Sequence, residues 1–120
     1  MMRRTILAAL LLAPVACSPS FDHVEWTTLS PLPKGATLGP TSVTLPAGGS
    51  VATRATAFDS SGMQLGCEPV LTSGDDHVLH IEPATRGSDA LRGIAIGSTR
   101  VTVTCDGETL DLGARVIAPP

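Results

Sequence analysis

Tyrosine is missing altogether, and Phe21, Trp26 and Phe58 are the only aromatic side chains in 120 residues. That scarcity removes the stacking platforms on which single-stranded nucleic acid is bound. It also removes most of the aromatic anchors that dominate tight protein interfaces. Basic charge is scarce too. Of 8 Lys and Arg residues, Arg3 and Arg4 sit in a leader-like segment, so 8 − 2 = 6 remain against 11 acids, a balance of 6 − 11 = −5. No basic patch survives, which makes nucleic acid and anionic lipid poor partners. A core must therefore come from Val, Leu, Ile and Ala. With Gly, Pro, Ser and Thr spread between short apolar runs, that composition points to a β protein.

No apolar run is long enough to span a bilayer permanently, but one run fits an export signal. Met1–Arg4 is a basic head, Ile6–Ala13 is continuously apolar, and Pro14-Val15-Ala16-Cys17 closes it with small residues. This segment resembles the signal peptide of bacterial lipoproteins, whose lipobox ends in the cysteine that receives the lipid. The resemblance implies a signal peptide over 1–16 and a diacylglyceryl group on Cys17. Each buried methylene of the acyl chains would add about 0.8 kcal/mol to the anchor. Ser18, rather than Asp, after the cysteine implies the outer membrane. Pro14 departs from the Leu usual at that place. The rival reading is ordinary cleavage after Ser18, which would give a periplasmic or secreted protein.

Cysteine is sparse and odd in number: Cys17, Cys67 and Cys105. An exported protein with an odd count has a thiol to explain, and lipidation of Cys17 explains it. Cys67 and Cys105 then remain as a pair in an oxidising compartment. Their disulfide would close a loop of roughly 38 residues, a stabilisation of about 3 to 4 kcal/mol on the chain-entropy estimate. Two buried free thiols are the alternative.

Along the rest of the chain, residues 17–40 carry Pro19, Pro31, Pro33 and Pro40 among small polar residues and read as a semi-rigid tether. Within them His23–Leu29 is strand-like and a candidate edge strand, with Trp26 expected to pack. From Thr41 the spacing predicts about seven short strands and a β-sandwich over 41–120. The expected strands are Ser42–Leu45, Ser50–Phe58, Leu65–Thr72 (interrupted by Pro69), Val78–Ile81, Leu91–Ile96, Arg100–Cys105 and Thr109–Ile117. Val51, Thr53, Ala55 and Ala57 alternate onto one face. Asp59-Ser60-Ser61-Gly62 reads as a turn, Arg86–Asp89 as a loop, and Asp106-Gly107 as a tight hairpin.

Over about Thr41–Ala118 these pieces together resemble the bacterial immunoglobulin-like domain of group 2 type. The marks are Thr44-Leu45 and Gly48 before a Val-x-x-x-Ala-x-Ala strand, then Ala57-Phe58-Asp59-x-x-Gly62. They continue with Thr72-Ser73-Gly74-Asp75 before Val78 and Ile81, and Gly93–Thr99 leading into Val101-Thr102-Val103. Leu71 stands where the family often has Trp. The resemblance implies an immunoglobulin-like sandwich with adhesive or spacing roles. It also implies that the strands holding Cys67 and Cys105 are antiparallel neighbours, so the bridge would pin one pole where binding loops sit.

Little else carries chemistry. Asp75, Asp76 and His77 are the one metal-like cluster, against the simpler reading of a solvated turn. His77 and His80, three apart on a strand, would point to opposite faces. Asp59, Asp106 and Glu108 are candidates for weak Ca²⁺ binding at the bridged pole, without the spacing of a calcium loop. There is no G-x-S-x-G, no phosphate-binding Gly loop and no C-x-x-C. The sequence thus implies no catalytic residues and no cofactor. It describes an envelope lipoprotein presenting a non-catalytic module, held to the membrane by its N-terminal lipid. An envelope protein or surface polysaccharide is the expected partner, and the alternatives are an inhibitor of an envelope enzyme or a metal-binding lipoprotein.

Overall fold

The computed structural model describes residues 20–84 and 87–120. Nine strands make up its regular structure: β1 (Phe21–Thr28), β2 (Thr37–Leu38), β3 (Ser42–Pro46), β4 (Ser50–Asp59), β5 (Val70–Ser73), β6 (Leu79–Pro83), β7 (Ser88–Gly93), β8 (Gly97–Cys105) and β9 (Glu108–Ile117). They form two sheets, ordered β1-β4-β7-β6 and β2-β3-β9-β8-β5. The protein is an all-β sandwich of the immunoglobulin-like type. Every pairing is antiparallel except that of β3 with β9. The described chain therefore runs first in one sheet, crosses over residues 29–36, and continues in the other with β2 and with β3 beside the last strand.

The alternation in β4 works as expected. Val51, Thr53, Ala55 and Ala57 are all buried, and Asp59 continues the same face. Against them lie Leu91 of β7, Val101, Val103 and Cys105 of β8, and Leu112, Ala114 and Val116 of β9. Each aliphatic side chain so enclosed contributes about 1.5 to 3 kcal/mol. Thr53 is fully buried, and its hydroxyl donates to the Thr27 carbonyl at 2.9 Å, so its polar atom costs little.

Three expectations need correction. The boundary expected at Thr41 falls inside the folded unit, because the proposed tether supplies both β1 and β2. Phe21 and Val24 are core residues, and β1 pairs with β4 along its whole length. A bulge between Phe21 and His23 brings two residues three apart onto the inner face, which a strict period of two would forbid. Trp26 packs partly buried against the core, and its indole N–H donates to the Gly39 carbonyl at 2.8 Å.

The strand expected over Leu65–Thr72 begins only at Val70. Pro69 has no N–H to give a ladder. Upstream of it, the chain pairs with β4 instead: Gln64 opposes Phe58, and the Leu65 amide donates to the Ala57 carbonyl at 2.8 Å.

The strand expected over Leu91–Ile96 is shifted toward the N-terminus and runs Ser88–Gly93. Gly93 ends it: its amide donates to Gly49 and its carbonyl accepts from Gly48, both at 2.9 Å, and Ile94 then turns toward the Val78 carbonyl. Ser88 and Asp89, expected in a loop, are buried strand residues opposite Arg54 and Thr53.

Candidate functional site at the bridged pole

One end of the sandwich gathers the turn after β4, the segment before β5, the β6–β7 connection and the β8–β9 hairpin. Cys67 and Cys105 are disulfide-bonded there, with Cα atoms 5.6 Å apart and a sequence separation of 38. Their position follows from the antiparallel register of β5 and β8, in which Val70 opposes Thr104. Cys105 is buried in the core and Cys67 half-buried, so the bridge fastens a loop to the sandwich interior. The Asp106-Gly107 hairpin has both residues at positive φ, 49° and 82°, as a two-residue turn of the type I′ kind requires.

The hollow at this pole arises because β4 outruns its neighbour. Its pairing with β7 ends at Arg54–Ser88. Beyond that point the segment carrying Gln64 and Cys67 folds over its edge. An open cleft of about 530 Å³ results, with Thr56, Gln64, Glu68 and Gly87 on its walls. A smaller hollow of about 330 Å³ lies beyond Glu68 and Pro69, reaching Asp89. Glu68 lies hard against Gly87: a Cβ at Gly87 would sit 2.6 Å from the Glu68 Oε1 atom. Both hollows are open to solvent, the larger lined by polar and apolar groups alike and the smaller mostly by apolar ones, unlike the enclosed cavities of small-molecule sites.

Two of the carboxylates here, Asp59 and Glu108, serve the fold. Asp59 Oδ1 accepts from the Ser61 hydroxyl at 2.6 Å, the Ser61 amide at 2.9 Å and the Met63 amide at 3.0 Å. Those donors, the Ser61 hydroxyl foremost, hold its pKa below the usual carboxylate value. Glu108 Oε1 accepts from the Phe21 amide at 3.3 Å, and the Ser60 amide donates to the Ser20 carbonyl at 3.1 Å. The Ca²⁺ candidates Asp59, Asp106 and Glu108 are therefore not convergent ligands. Among the described residues, the one close group of three metal-type donors is Cys67, Cys105 and Asp106. Its two sulfurs are bonded to each other, so neither is a thiolate.

The other metal candidates lie at the opposite pole, in the loop between β5 and β6. Asp75 Oδ1 accepts from the His77 amide at 2.9 Å, while the His77 side chain is fully exposed. Asp76 stands 4.0 Å from His80, not beside Asp75 and His77. His23, the remaining histidine, stacks on Phe58 across the β1–β4 pair, with ring centroids 5.3 Å apart. Cys17 lies outside the described residues. Sequence reasoning missed Asp89, a carboxyl whose burial pushes its pKa up. Its only signal was a polar Ser-Asp pair next to a glycine, which reads as a loop.

No family model matches this chain, and no curated protein does. Solved structures do resemble it. Domains 4 and 5 of the S-layer protein SbsC match with a TM-score of 0.53 and 18% identity, over 84% of this chain and 54% of that one. Domains 4–9 of the same surface layer protein match at TM-score 0.55 and 17% identity, over 86% of this chain and 15% of that one. The chain thus spans about half the length of the two-domain fragment and a small part of the larger one. At such identities the likeness establishes the fold.

Proposed function

We propose that the chain is an envelope lipoprotein, anchored through acylated Cys17, that presents one immunoglobulin-like module in a structural or binding role without catalysis. The observation that carries the non-catalytic part is the use made of polar groups at the most concave end. Asp59 organises a turn, Glu108 caps the start of β1, and the cysteines are spent on a bridge. An active site instead needs a nucleophile, base or metal ligand left facing a substrate.

The likeness to surface layer domains supports a cell-surface or envelope setting. The basic head, apolar run and Pro14-Val15-Ala16-Cys17 segment support export and a lipid anchor. An envelope protein or a surface polysaccharide remains the partner class this reading carries.

Fractionation tests it. Wild-type chain should be found with envelope membranes, with an intact mass showing diacylglyceryl on Cys17 and loss of residues 1–16. The Cys17→Ala chain should leave the membrane fraction. Soluble wild-type protein whose mass begins at Pro19 would overturn the anchor.

A further inference from the structure

From the path of β1, we infer that the bridged pole is the end of the sandwich held against the lipid surface, with the opposite pole directed away from it. This rests on the acylation of Cys17 proposed above. The domain begins almost at once after that cysteine. Ser20 accepts from the Ser60 amide, Phe21 donates to Glu108, and the Phe21 ring is already in the core at 7% exposure. The strand then runs away from this pole, paired with β4 from Phe21–Asp59 to Thr28–Thr53.

Between Cys17 and Ser20 there are only three residue steps, a reach of about 11 Å at full extension. The ten residues of β4 span about 34 Å, so the anchor cannot reach around to the other end of the sandwich. Residues 21–28 cannot lengthen the leash without pulling Phe21 and Val24 from the core.

The consequence reverses what the loop arrangement alone suggests. The turns around the disulfide and the cleft beside Glu68 sit at the pole that antibody variable domains use for binding. Here the turn after β4 and the β8–β9 hairpin bond directly to Ser20 and Phe21, at the end of a leash no longer than about 11 Å, too little clearance for a folded protein to enter at that end. What faces outward is the pole formed by the start of the crossover, residues 29–36, with the 74–78 loop and the 94–96 loop. Four of the exposed large apolar side chains, Leu29, Leu32, Ile94 and Ile96, belong to that end.

Amide relaxation of the lipidated mature chain, in nanodiscs doped with a gadolinium-chelating lipid, tests the orientation. Ser61, Gly62 and Gly107 should relax at least about tenfold faster than Gly48, Gly74 and Ala95, which lie roughly one strand length farther from the lipid. Equal enhancement at the two ends, or the reverse gradient, overturns the orientation. A second variant carries about 20 Gly and Ser residues between Ser18 and Pro19, a leash of roughly 25 Å that should flatten the gradient. If the gradient persists there, something other than the short leash orients the domain, and the inference fails. The intact mass of each sample separates the two readings: an unacylated chain removes the anchor and the orientation together, whereas an acylated chain without the gradient removes only the orientation.

Discussion

Gly93, the last residue of β7, lies directly under the Pro46 carbonyl of β3, so that a Cβ there would stand 2.5 Å from that oxygen. The two strands belong to different sheets, and this is where the sandwich closes at the pole opposite the disulfide. The Pro46 oxygen is held in place because it accepts from the Gly49 amide at 2.9 Å. Backbone must therefore move if a methyl group is added. Gly93→Ala should lower stability by about 1 to 3 kcal/mol, the usual cost of overpacking. Gly113 meets nothing within 4 Å of its own Cβ direction. Gly113→Ala should be neutral or gain about 0.4 to 1 kcal/mol through the unfolded chain. Urea midpoints of the two variants would decide it, and equal losses would refute the steric account.

The disulfide should matter more than any single core side chain. It joins a loop without regular structure to a fully formed core strand, and closes 38 residues of chain. Reduction, or the double change Cys67→Ala with Cys105→Ala, should cost about 3 to 4 kcal/mol. In the native protein neither sulfur should react with an alkylating reagent. After Cys67→Ala alone, the Cys105 thiol should react only as fast as the protein opens, since it is buried in the core.

Strand order and core were legible in the sequence where one face alternates, as in Ser50–Phe58 and Arg100–Cys105. Three signals failed for identifiable reasons. His23–Leu29 was legible as an edge strand, but a bulge put Phe21 and Val24 on one face out of phase, and the prolines at 31, 33 and 40 coloured the surrounding stretch as tether. Buried polar residues, Ser88 and Asp89, hid the start of β7. Pro69 was seen as an interruption but not as the start of β5, because the pairing of Gln64 and Leu65 with β4 is a tertiary choice. The bridged pair was readable from counting cysteines. The cleft was not, since it depends on β4 extending beyond β7.

Trp26 offers a test of how firmly the crossover is attached. Its indole donates to Gly39, and the Val24 amide donates to Pro40 at 3.2 Å, so two bonds tie β1 to residues 39 and 40. Trp26→Phe keeps most of the apolar contact but leaves the Gly39 carbonyl without this donor. The loss should be about 0.5 to 1.5 kcal/mol by denaturation followed with circular dichroism. Hydrogen exchange should quicken locally at Val24 and Gly39, and a variant without that local change would show the bond to be incidental.

Asp59 and Asp89 should give the protein opposite responses to pH. Asp59 is held below the ordinary value of 3.8 by donors that favour its charged form. Its stabilising contribution is therefore complete above that value and is lost as pH falls through the lowered folded pKa. Asp89 is raised above 3.8 because burial disfavours its charge. Between 3.8 and its raised folded value the unfolded chain holds fewer protons than the folded one, so stability falls as pH rises through that interval. Asp89→Asn should accordingly raise the melting temperature at pH 7 and leave it unchanged well below pH 3.8. Asp59→Asn should do the reverse, lowering the melting temperature at pH 7 and converging with wild type in acid. Melting curves from pH 2 to 8 on the three proteins would show whether the two variants diverge from wild type in opposite directions. Parallel curves would mean that neither carboxyl senses the environment described for it.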